Sequence, residues 1–156
     1  MSVPTIEFRM QVARWLHLLG VVLWIGGMFF AHFALRPAAA ALPPPQRLPL
    51  LADTLRRFFR WVGGAIVAIL ASGAWLVVAM GGSAAMGGGV QAMAALGIVM
   101  TLVFAYVVLA PYAALRRAVA AGDWPAGGAA MGTIRRLVGV NLALGVLTLS
   151  IAVLAR

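Results

Sequence analysis

The chain has 156 residues, of which 64% are hydrophobic and only 10% charged, with a mean hydropathy of +1.04. That composition marks an integral membrane protein and excludes an ordinary soluble domain. The net charge of +9 comes from twelve arginines and no lysine against Glu7, Asp53 and Asp123; the arginines bracket apolar runs and form no aromatic-laced basic face, which argues against nucleic-acid binding.

Four apolar segments of one membrane domain covering 1–156 are each about 20 residues long, enough to cross as helices. They lie at approximately 13–35, 61–80, 93–114 and 137–155. The first contains WLHLLGVVLWIGGMFFAHFAL, Trp15 to Leu35, with the chain's two histidines, His17 and His32. It is about twice the usual length of a signal-peptide core, so it is expected to stay in the mature protein. Between spans one and two, after Pro43-Pro44-Pro45, the stretch LPLLADTLRRFFR puts Leu51, Leu55, Phe58 and Phe59 at helical spacing beside Arg56, Arg57 and Arg60. That pattern predicts a short amphipathic helix lying in the interface. The second connection, GGSAAMGGGVQ, is glycine-rich and uncharged. The third, Arg116 to Arg136, contains Gly122-Asp123-Trp124-Pro125 and reads as a turn-rich loop. The predicted fold is therefore all-α: a four-helix membrane bundle with an added interfacial helix.

Orientation follows from arginine. Nine of the twelve fall in loops 36–60 and 116–136, whereas Arg9, Arg14 and Arg156 lie on the other side. The positive-inside rule makes those loops cytoplasmic and both termini periplasmic. Arginine without lysine, with abundant Ala and Gly, points to a GC-rich bacterial gene, so a bacterial inner (cytoplasmic) membrane is the expected location. The lipid bilayer is the expected partner. Small residues should mediate helix packing, with candidates Gly20 and Gly27 in span one, Gly64, Ala68 and Ala71 in span two, and Gly139 and Gly145 in span four. Gly-rich faces also allow a homodimer.

Ionisable groups inside a bilayer are costly and are functional candidates by default. His17 and His32 are 15 residues apart, about 22 Å along a helix, so one chain cannot bring both to a single metal or haem iron. They define an outer and an inner position. Near the outer one, Met10, Met80 and Met93 supply thioethers. One His with several thioethers is a soft set suited to Cu(I), or to His/Met ligation of haem. The bland alternative has the methionines filling gaps and His17 hydrogen-bonding a neighbouring helix. At the inner position His32 matches Asn141 in depth, and a hydrogen bond between them would satisfy both. The absence of cysteine excludes disulfides, thiolate metal sites, iron–sulfur clusters and covalently attached c-type haem. No Asp, Glu or Lys lies within the spans to couple a gradient, and no Ser–His–acid or His-Glu-x-x-His grouping serves hydrolysis.

The segment LHLLGVVLWIGGMFF resembles the first helix of the copper resistance D (CopD) family, with His17, then Trp24 seven residues later, then Gly26 and Gly27. Span four, RRLVGVNLALGVLTL, is similar to that family's last helix, with Asn141 in the matching place. The resemblance implies copper handling: periplasmic-side Cu(I) binding or passage, with His17, Trp24 and Gly27 at the site. The first helix also looks like that of HemJ-type protoporphyrinogen oxidases, which implies haem b at His17 and a redox role as the alternative. The Lys and the Glu of that type are absent here, so its oxidase activity is not carried over and the chain leans away from being an enzyme. A third reading is a structural or assembly protein without a cofactor.

Overall fold

The computed structural model describes residues 3–82 and 86–154. The middle of the glycine-rich second connection and Arg156 lie outside the described residues. Helix α1 (Val3–Phe30) runs without a break through a π-helical turn (Ala31–Leu35) into the single turn α2 (Arg36–Ala39). Then come α3 (Pro44–Ala79), α4 (Gly88–Leu109), α5 (Pro111–Ala121) and α6 (Trp124–Leu154). No strand occurs among the described residues. Four stretches are long and apolar enough to cross a membrane: Thr5–Ala39, Pro44–Ala79, Gly88–Ala121 and Trp124–Leu154.

The longest of these helices exceeds the thickness of a bilayer core. At 36 residues, α3 is about 54 Å long, against a hydrocarbon core of about 30 Å. The overshoot lies where the sequence suggested separate pieces. The amphipathic stretch expected to lie alone in the interface is the first half of α3. Nothing between Arg60 and Trp61 breaks the helix, and Pro43-Pro44-Pro45 serves as its start, where a missing N–H costs nothing. The expected third loop is likewise mostly helix. Pro111 starts α5 at a bend, Gly122 ends it at φ 67°, and Asp123 Oδ1 caps α6 by accepting the Ala126 N–H at 2.9 Å.

These overhanging pieces are stable because their apolar faces meet. Leu48, Leu55, Phe59, Tyr112, Leu115 and Ile134 form one buried cluster at the loop end. Tyr112 stacks edge-on against Phe59 at 5.1 Å and donates its hydroxyl to the Ala52 carbonyl at 3.2 Å. A second cluster, Trp24, Met28, Val62, Ile66, Met100 and Leu142, fills the middle of the bundle. Where lipid replaces water, close helix approach has to come from small residues. A Cβ at Gly20 would lie 2.7 Å from Ile69 Cγ1 and 3.0 Å from the Ala65 carbonyl oxygen, and one at Gly27 would overlap the Phe58 ring. Gly145 packs on Ile25 and Met100 in the same way. On span two the contact positions are Ala65, Ile69 and Gly73, one or two residues further along the helix than the expected Gly64, Ala68 and Ala71. Gly64 meets nothing within 4 Å.

Candidate functional site

The packing contacts set the depth of every candidate. On antiparallel α1 and α3, Gly27 meets Phe58, Gly20 meets Ala65 and Ile69, and His17 meets Gly73. Small residues on α3 make the space: a Cβ at Gly73 would lie 3.3 Å from His17 Cε1. The His17 ring is half-buried in that notch, with Nδ1 3.1 Å from the Ile69 carbonyl oxygen and 3.2 Å from Ser72 Oγ. A carbonyl can only accept, so Nδ1 must carry the N–H. The Ser72 hydroxyl is directed at the Ala68 carbonyl, 2.5 Å away, leaving its lone pairs toward His17. In the neutral ring this assigns the proton to Nδ1 and the free lone pair to Nε2. Metal-binding histidines are oriented by this type of contact, one ring nitrogen donating to a carbonyl while the other faces the ligand.

The thioethers stand at different depths. Ile25 on α1, Gly145 on α6 and Met100 on α4 share a level. His17 is eight residues outward from Ile25 and Met93 seven residues outward from Met100, so Met93 matches His17 in depth. Met10 lies seven residues beyond His17, about 10 Å along the axis, and Met80, half-exposed at the end of α3, stands at a comparable level. No methionine sulfur is among the hydrogen-bond partners of His17, whose ring contacts lie on α3. Among the described residues no three His, Asp or Glu side chains come together.

Trp24 and Gly27 sit inward of this position. Trp24 is 4% exposed and packs edge-on against Phe104 at 6.3 Å in the central cluster. Gly27 makes room for Phe58. At the inner position His32 occupies the π-helical turn, a local irregularity that sequence periodicity does not reveal. Its ring packs against Gly139 and edge-on to Phe33 at 4.9 Å. The expected hydrogen bond to Asn141 is not formed. Asn141 is two residues further along α6, on another side of the helix. It is 3% exposed, and its Oδ1 has no hydrogen-bond partner among the described residues. It borders a cavity of about 10 Å³ with Trp24, Met28, Phe59 and Phe104, at the lower limit for one water.

Local sequence patterns do not mark Ser72 and Gly73 as the cradle of His17. The available signal was a Ser-Gly pair in span two at the depth of His17, usable only with the α1–α3 register in hand.

Four apolar spans joined in an all-helical bundle define a multi-pass membrane protein. The family model for copper resistance protein D matches residues 52–155, two thirds of the chain. The chain belongs to this CopD family and is a membrane protein related to copper resistance. The matched region includes Ser72, Gly73, Met80, Met93 and Asn141; His17 and the rest of α1 precede it. Among curated proteins and among solved structures, nothing matches the chain.

Proposed function

We propose that this CopD-family protein binds Cu(I), or passes it, at the end of the bundle where the chain starts, with His17 as the key ligand. The observation that carries this reading is the Ile69 carbonyl holding His17 Nδ1, which in the neutral ring leaves the unshared pair on Nε2. Soft donors favour Cu(I) over harder cations. Met93 shares the level of His17, while Met10 and Met80 stand about two turns further out, an order that suits stepwise passage from outer sulfurs to an inner imidazole. The arginine distribution supports placing this end on the periplasmic face of a bacterial inner membrane, with loops 36–60 and 116–136 cytoplasmic.

The test is anaerobic Cu(I) titration of the detergent-purified protein against a competing chelator. The wild type is expected to take up copper, with His17→Ala binding at least about tenfold more weakly. Equal affinity in wild type and His17→Ala, or no uptake by either, would overturn the reading. The visible spectrum of the same sample distinguishes the haem b alternative, in which His17 as axial ligand predicts a Soret band lost in His17→Ala. A cofactor-free structural role predicts that His17→Ala and His32→Ala both fold and that neither copper nor iron co-purifies.

A further inference from the structure

At the loop end, away from His17, a cavity of about 230 Å³ opens between α2, the start of α3 and α6. Three arginines from distant parts of the sequence line it: Arg36 after the π-helical turn, Arg47 in the first turn of α3, and Arg135 on α6. Its space comes from small residues. A Cβ at Gly128 or Gly132 would meet nothing within 4 Å.

The charge in this cavity has no protein counterpart. Among the described residues no carboxylate lines it. Asp53 is engaged by Arg56 and Arg57. Asp123 caps α6, and Glu7 belongs to the far end of α1. The side chains of Arg36, Arg47 and Arg135 make no hydrogen bond or ion pair among the described residues. Three like charges around one space repel each other unless an anion sits between them.

We infer that this cavity binds the phosphate of an anionic phospholipid headgroup. Guanidinium forks match phosphate oxygens in geometry as well as charge. Leu48, Leu51 and Met131 supply apolar wall beside the arginines, as an amphiphile needs and a free ion does not. Basic pockets between helices at the membrane surface are suited to lipid headgroups. The inference is independent of copper.

The test is native mass spectrometry of the full-length protein released from mixed micelles containing equal phosphatidylglycerol and phosphatidylcholine. The wild type is expected to retain phosphatidylglycerol selectively. A triple Arg36→Gln, Arg47→Gln, Arg135→Gln variant should retain about tenfold less or lower, while Arg116→Gln with Arg117→Gln should match the wild type. Gly132→Leu keeps every charge and fills the space, so it separates a shaped site from general attraction and stands in if the triple variant fails to fold. It should also lose the lipid. Undiminished retention in Gly132→Leu, or in a folded triple variant, would overturn the proposal. Displacement of the lipid by millimolar inorganic phosphate would also overturn it, assigning the site to the free ion.

Discussion

Replacing Asn141 by leucine should make this protein more stable, although the substitution removes a polar group from the heart of α6. Asn141 is 3% exposed and its Oδ1 accepts no hydrogen bond among the described residues. Leaving a buried acceptor unsatisfied costs about 1–3 kcal/mol. The unfolded reference in a membrane also buries polar groups, and polar contacts there average only about 0.6 kcal/mol, so the low end of that range applies. Leucine has the same branched heavy-atom skeleton as asparagine, and its bulkier methyl groups would fill the adjoining cavity of about 10 Å³. The expected gain is about 1 kcal/mol, roughly a fivefold rise in the folded-to-unfolded ratio. Equilibrium unfolding in mixed micelles of mild detergent and dodecyl sulfate, followed by tryptophan fluorescence, reads it directly. Cu(I) affinity should not change, because Asn141 lies more than two turns inward of His17. A loss of 1 kcal/mol or more in Asn141→Leu would refute the reasoning, since it would mean that Oδ1 has a bound partner, such as a water.

Other substitutions probe the packing and the His17 cradle. Gly20→Val should destabilise by about 1–3 kcal/mol, because its side chain meets the Ala65 backbone as well as Ile69; the same unfolding assay measures it. Gly26→Ala, next to the tightly packed Gly27, meets nothing within 4 Å and should fall within about 0.5 kcal/mol of wild type. Leu115→Ala, at a position with no exposed surface, should cost about 2–5 kcal/mol. Ser72→Ala removes one of two contacts at His17 Nδ1 but leaves the Ile69 carbonyl, so Cu(I) affinity should fall by about tenfold at most while stability changes little.

Hydropathy alone made the four spans legible, because the bilayer leaves helices or closed barrels as the only way across. The connections were less legible. Pro43-Pro44-Pro45 reads equally as a break and as a helix start, and only the partners decide. Leu48 and Leu55 find Leu115 and Ile134 across the loop end, so a stretch with an interfacial pattern becomes half of a longer helix. At the candidate site His17 was legible as a rare intramembrane imidazole, whereas its cradle needed the pairing of residue 17 with residues 69, 72 and 73, which no local pattern encodes. The same holds for Arg36, Arg47 and Arg135, which separately read as topology signals and line one cavity only once α2, α3 and α6 are assembled. Met28 shares a helical stripe with His17 and His32 in sequence, yet at 2% exposed it belongs to the central cluster.

Under the proposed function, His17 is held by Nδ1 and would offer Nε2 to Cu(I). Nitrogen-15 NMR of histidine-labelled protein in detergent, recorded before and after anaerobic addition of Cu(I), tests it most directly, with His32→Gln used to assign the signals. The expected result is a His17 ring protonated at Nδ1 without copper, and a copper-dependent shift at Nε2 with the Nδ1 proton retained. A His17 ring protonated at Nε2 in the metal-free protein, or one whose Nε2 resonance ignores copper, would contradict it.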